Sequence, residues 1–270
     1  MPLIQDYYKL FENTDDIKKV ILNGNIVWPT AKPKIIDYTE PFYSENTTDQ
    51  TESVTFTRSG TTSPTFDVYY SLDEGNTWNF CGSTVESFTY RNTPHTKVWF
   101  CAETTQWTNQ YGNMQISIKD CKKVGGNIMS LLYGRNFTGQ ESSFPSGSSY
   151  NFLSLFYNNT NLVDASELLL PATTLASYCY YAMFNGCTSL SQAPALPATT
   201  LTRSCYYRMF KNCTSLNEVT CYATSGINEN YSTIEWLDGV SSTGTFYKAA
   251  GVIWPSGVNG IPSGWTVVEV

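Results

Sequence analysis

Cysteine, histidine and closely spaced carboxylates are the residues of this chain whose types and spacing could do chemistry. There are 8 cysteines and 1 histidine, His95, in 270 residues. One imidazole leaves one ready general base near neutral pH and removes most histidine-based metal sites. The cysteines at 179, 187, 205 and 213 form no C-x-x-C pair and have no histidine beside them, so no metal centre is expected. A glycoside hydrolase needs two carboxylates facing one cleft about 5–10 Å apart. Asp164 with Glu167, and Glu235 with Asp238, are near enough in sequence to be considered, but ordinary solvated positions explain them as well. The expectation is a protein with no catalytic residue and no cofactor.

Composition points the same way. Charged residues make up 14% of the chain, against about 25% in a typical domain. Lys+Arg 16 against Asp+Glu 23 gives a net charge of −7, which argues against a duplex-binding face, so no nucleic-acid partner is expected. Aromatic residues reach 15%, enough apolar surface for a packed fold. No run of 18 apolar residues exists, so no membrane span is expected. The stretch Met1–Asn13 carries acidic residues and lacks an apolar centre, unlike a secretory signal. The expectation is a chain that works where it is made, or leaves by lysis or in an assembled particle. Its cysteines are then expected to be reduced and buried, with disulfides as the alternative.

Three segments must position these residues. In residues 1–33, Ile17–Leu22 and Ile26–Trp28 flank Asn23 and Gly24, which tolerate positive φ and predict a tight hairpin. It is either an ordinary hairpin or a docking pair for a partner, since a lone hairpin is marginal in water. Residues 34–122 show period-2 alternation at Val54/Phe56, Phe66/Val68/Tyr70/Leu72, Trp78/Phe80, Phe88/Tyr90, Val98/Phe100 and Met114/Ile116/Ile118. About seven strands with turn clusters between them predict an antiparallel β-sandwich of the immunoglobulin-like kind. Within it, Ser71-Leu-Asp73-Glu-Gly75-Asn-Thr77-Trp78 resembles the Asp-box hairpin of sialidases and other β-proteins. Asp73 is expected to cap turn amides, Gly75 to take the left-handed position and Trp78 to pack beneath. Sialidase activity does not follow, because Arg58 and Arg91 are the only arginines of this segment.

Residues 123–270 carry the strongest signal. Positions 170–190 and 196–216 are identical at 15 of 21 places with an offset of 26, in the frame L-P-A-T-T-L-x-x-x-C-Y-Y-x-M-F-x-x-C-T-S-L. Leu175, Cys179, Met183, Phe184, Cys187 and Leu190 recur as Leu201, Cys205, Met209, Phe210, Cys213 and Leu216. Phe156 and Leu162 mark a divergent earlier copy. This period reads as a leucine-rich solenoid. Cys179/Met183 and Tyr180/Phe184 are i,i+4 pairs and predict a short helix in each copy, with Thr173 or Thr174 as N-cap and Gly186 or Asn212 at the exit. Leu190–Leu196 is expected to be a short strand made irregular by Pro194. Stacking places Cys179 over Cys205 and Cys187 over Cys213 as small buried hydrophobes. Residues 126–165 and 219–270 are expected to cap the two ends. The fold class expected is α+β, mainly β.

The repeat frame, with Gly126–Gly134 before it and Ser241–Phe246 and Gly260–Trp265 after it, resembles the BspA-type leucine-rich repeat abundant in gut Bacteroidales and their phages. More weakly, Ile17–Trp28 resembles the opening segments of phage fibre proteins. The resemblance implies a bacteriophage structural protein, a virion head fibre or tail appendage of a crAss-like phage, with adhesion as its role. It is then made in the host cytoplasm and located in the virion. Its partners are other virion proteins through residues 1–33 and a host surface glycan or protein, and it forms a homo-oligomer, a trimer being favoured. A bacterial surface adhesin is the alternative, and a glycan hydrolase a further one. Positions differing between the copies are expected to be exposed: Ser177/Arg203, Tyr178/Ser204, Ala182/Arg208 and Asn185/Lys211. Tyr178, Tyr181, Arg203, Tyr207 and Arg208 are therefore the candidate binding residues, the tyrosines stacking on sugar rings. The alternative is that Tyr181 and Tyr207 only cover the layer beneath.

Overall fold

The computed structural model describes residues 21–22, 25–26, 39–59, 67–83, 88–103, 115–145 and 149–270. The chain divides into two compact units, Met1–Ile36 with Val270 and Asp37–Glu269. In the first, β1 (Ile21–Leu22) pairs antiparallel with β2 (Asn25–Ile26), Leu22 opposite Asn25. The expected turn residues Asn23 and Gly24 lie outside the described residues.

The larger unit carries the remaining strands. These are β3 (Tyr43–Glu45), β4 (Glu52–Ser59), β5 (Asp67–Ser71), β6 (Asn79–Ser83), β7 (Phe88–Asn92), β8 (Lys97–Glu103) and β9 (Gln115–Lys119). Then come β10 (Lys123–Asn127), the helix α1 (Ser130–Tyr133), β11 (Asp164–Leu169), β12 (Glu218–Cys221), β13 (Gly244–Lys248) and β14 (Trp265–Glu269). Among the described residues strand makes up 32%, with one short α-helix and no closed sheet, so the fold is mainly β.

Alternation in residues 39–119 builds two sheets. β7-β4-β9 is antiparallel, and β11-β10-β3-β8-β5-β6 is mixed. Their side chains meet at Phe56–Phe100 (5.1 Å between ring centroids), Tyr90–Phe100 (5.7 Å) and Tyr70–Tyr90 (4.9 Å). The six-stranded sheet runs on into the repeat region: β10 pairs antiparallel with β3 and parallel with β11. Ser130 of α1 stitches this join. Its hydroxyl accepts from the Phe42 amide (3.0 Å) and donates to the Phe100 carbonyl (2.8 Å), both buried. One continuous apolar core then extends from Phe42 to Trp265.

The repeat residues do not form the expected helices. Residues 177–186 are a run of tandem turns with left-handed φ at every fourth position: Tyr178 (59°), Ala182 (50°) and Gly186 (78°). Ser204, Arg208 and Asn212 repeat this at 51°, 53° and 60°. The amides of Cys179, Tyr181, Met183, Asn185 and Cys187 each bond the carbonyl three residues back. The intervening amides, from Tyr178 to Gly186, bond the carbonyls of Arg203, Cys205, Tyr207, Met209 and Lys211 in the next layer at 2.8–3.1 Å. A four-residue period keeps i and i+4 on one side just as a helix does, which is why the apolar spacing suggested a helix. Thr174 is not an N-cap but a parallel bridge partner of Thr200. Gly186 and Asn212 are not helix exits but the third left-handed position of each run. The segment after Leu190 bridges Asp164 at Gln192 and Cys221 at Leu196, with Pro194 between.

Among the described residues, four such layers stack in register: 150–158, 177–186, 203–212 and 230–238. One column holds Phe156, Phe184 and Phe210, with ring separations of 5.2 and 5.4 Å. Another runs Phe152, Tyr180, Tyr206, Trp236, Trp254 at 5.2–6.3 Å. The ends are closed by backbone polar groups finding partners. Ile118 of β9 donates to the Leu155 carbonyl at 2.6 Å on one side. On the other, Asn259 accepts from the Glu235 amide (3.0 Å) and from the Thr233 hydroxyl (2.9 Å). β12 with β13 and β14 forms a three-stranded parallel sheet beside the last layer.

Candidate functional site

Layer register brings the candidate tyrosines and arginines together on one face. Tyr181 and Tyr207 stack at 4.6 Å and 4° between planes, and the Arg208 guanidinium lies over Tyr207 at 5.0 Å. Tyr178 stacks on Tyr150 at 4.4 Å and 9°, with Arg203 over Tyr178 at 5.7 Å. Tyr178 and Tyr181 are 6.2 Å apart and tilted, so the two stacks adjoin. All four tyrosines and Arg208 are half-buried, and Arg203 is exposed. A separation of 4.4–4.6 Å leaves no room for a sugar ring between partners. The shared ring faces are therefore taken, and the stacks offer ring edges and hydroxyls.

The two arginines differ electrostatically. The Arg208 Nε donates to Glu235 at 2.8 Å, and Lys211 contacts Glu235 (2.5 Å) and Asp238 (2.9 Å). The Lys211 and Arg208 hydrogen bonds hold the Glu235 carboxyl below its ordinary range. Burial, then the neighbouring Tyr207, raises the Tyr181 phenol, and burial with Tyr178 beside it raises that of Tyr150.

Of the positions expected to be exposed, Ala182 and Ser204 are buried, at 4% each. Both are left-handed positions, with φ of 50° and 51°. Tyr150 was missed in the sequence. It precedes Tyr178 by 28 residues, as Phe156 precedes Phe184, and extending the divergent copy six residues upstream finds it.

The repeat residues Leu175, Cys179, Met183, Phe184, Cys187 and Leu190, and their counterparts Leu201, Cys205, Met209, Phe210, Cys213 and Leu216, are all buried. The eight thiols are free. Cys187 and Cys213 do more than fill space: each thiol donates to the carbonyl of a phenylalanine one layer back, Phe156 (3.0 Å) and Phe184 (3.1 Å). Burial pushes Cys205 and Cys221 up to about 12. In the Asp73 turn, Asp73 accepts from the Ser71 hydroxyl (2.7 Å), the Thr77 amide (2.8 Å) and the Thr77 hydroxyl (2.8 Å), which lower its pKa. Gly75 has φ +88°, and a Cβ there would press on Pro41 and the Trp78 ring.

The carboxylate pairs considered for hydrolysis are committed elsewhere. Asp164 accepts from the amide and hydroxyl of Ser166. Glu167 accepts from the buried Tyr43 hydroxyl and pairs with Lys123 at 3.0 Å. That lysine also binds Glu45 at 2.6 Å, while Lys97 sits over the Tyr43 ring at 3.8 Å and pairs with Glu40 at 2.8 Å. This network, which no sequence spacing announced, lies across β8, β3, β10 and β11. Among the described residues no cluster of three metal-ligating side chains occurs, and no helix is long and apolar enough to cross a membrane. A scan of protein-family models and searches of curated proteins and of solved structures return no match.

Proposed function

We propose that this chain is a bacteriophage virion structural protein, a head fibre or tail appendage, that displays a leucine-rich-repeat solenoid of the BspA type for attachment to a host surface glycan or protein. The observation that carries the reading is the two adjoining Tyr–Tyr–Arg stacks on a layered scaffold. A polar, aromatic-edged face held by an inter-layer hydrogen-bond ladder binds at little ordering cost. Residues 34–122 act as an immunoglobulin-like spacer and residues 1–33 dock to other virion proteins. Assembly as a homo-oligomer, a trimer being favoured, multiplies weak single-site binding.

Two measurements with the full-length chain test this, because the continuous core argues against cutting it at residue 123. Imaging and mass spectrometry of purified particles are expected to find the protein. Whole-cell binding is expected to fall roughly tenfold or more in the Tyr181→Ala/Tyr207→Ala double variant, as when an aromatic hot spot is truncated. Absence from particles together with unchanged cell binding overturns the proposal. Absence from particles with a loss of binding instead favours a bacterial surface adhesin.

A further inference from the structure

We infer that the attachment face takes an acidic sugar, with Arg203 recognising its carboxylate. The inference rests on the attachment reading above and names the ligand class for that face.

The charge inventory singles out Arg203. Residues 123–270 contain six cationic side chains. Lys123, Arg135, Arg208, Lys211 and Lys248 are each ion-paired with a glutamate. Arg203 is exposed, lies over the Tyr178 ring at 5.7 Å, and has no carboxylate partner among the described residues. In a chain of net charge −7, a cation left unpaired beside stacked tyrosines is a specific feature.

The neighbouring stack shows what is missing. Each tyrosine stack has an arginine over it, Arg208 from the same layer as Tyr207 and Arg203 from the layer after Tyr178, but Arg208 holds the Glu235 carboxylate at 2.8 Å. Glu235 stands 27 residues after Arg208, and the residue 27 after Arg203 is the neutral, exposed Asn230. One stack thus carries its own carboxylate, and the other leaves that place to a ligand. A guanidinium laid over an aromatic ring keeps its in-plane N–H fork free for a bidentate carboxylate. The Tyr150 and Tyr178 hydroxyls beside it suit the sugar's own hydroxyls.

Binding of the full-length protein to matched probes tests the inference. These are oligogalacturonate against its methyl ester, and 3′-sialyllactose against lactose, which separate a uronate source from a sialic acid source. The expected result is roughly tenfold or greater preference for at least one acidic member, the size of a charge-assisted hydrogen-bonded contact. Arg203→Gln is expected to abolish that preference, and Asn230→Glu to abolish it by supplying an internal carboxylate as Glu235 does. Equal binding of acidic and neutral members, or a preference that survives Arg203→Gln, overturns the inference. Host-cell binding by the unmodified protein separates the two failures. If it persists without acid preference, only the ligand class is wrong; if it is absent, the attachment reading itself falls.

Discussion

At the scale of single residues, the repeat columns show which side chains serve packing alone. Tyr180 lies between Phe152 and Tyr206, fully buried, and its hydroxyl has no hydrogen-bond partner among the described residues. Burial raises its pKa well above the ordinary value, so the phenol stays neutral. An unsatisfied buried hydroxyl costs free energy that a methine does not. Tyr180→Phe, which copies Phe152, is expected to stabilise the protein by about 1 kcal/mol in urea denaturation; a loss of stability refutes this account of the column. The cysteine ladder was legible from its 26-residue spacing. Its donor role was not, because the distance from thiol to carbonyl depends on how closely the layers stack. Asn159 takes the cysteine place in the first layer, donating to the Cys121 carbonyl at 3.3 Å.

At the scale of elements, the layer is a tandem-turn run with a left-handed position every four residues, and its amides bond alternately to the carbonyl three residues back and to the next layer. Placing a non-glycine residue there costs about 1–2 kcal/mol. The inter-layer amide bonds and the buried Phe and Met columns offset that cost. Gly186 has φ +78°, and a Cβ there would collide with the Asn158 side chain. Gly186→Ala is therefore expected to destabilise by about 1–2 kcal/mol or more, read as a lower denaturation midpoint at unchanged slope. A midpoint within error of the parent excludes the left-handed assignment. Asn212, the counterpart of Gly186, tolerates this region better than most side chains, which explains the Gly/Asn exchange between copies. Period four and period 3.6 place the same residues together over two turns. Only the direction of alternate amides separates them, and that is a tertiary property.

At the scale of the whole molecule, residues 37–269 form one compact unit around one continuous core, so a single cooperative melting transition is expected. Two carboxylates tie distant parts together. Arg135 binds Glu103 at the end of β8 (2.8 Å), and Arg208 and Lys211 bind Glu235 one layer on. Hydrogen bonds from these cations hold both carboxyls below their ordinary value of 4.5. A carboxyl depressed in the folded state adds stability above its unfolded pKa and loses it as pH falls through the folded value. The melting temperature is thus expected to be level above about pH 4.5 with respect to these groups and to drop below it. Each pair is at least partly open to solvent, so the drop is modest. A melting temperature unchanged down to pH 3 contradicts the linkage.

The sequence by itself determined the alternating strands, the Asp73 turn, the repeat register and the identity of the buried columns. Each follows from local spacing: period two places side chains on one sheet face, and an offset of 26 places like residues in one column. The tertiary structure alone decided that the repeats are turn layers rather than helices and that β10 and β11 extend the first segment's sheet. It alone paired Tyr150 with Tyr178, and gave Arg208 a carboxylate while leaving Arg203 without one. Those outcomes depend on contacts between residues 25 or more apart, whose distances and directions are set by layer packing and not by any pattern along the chain.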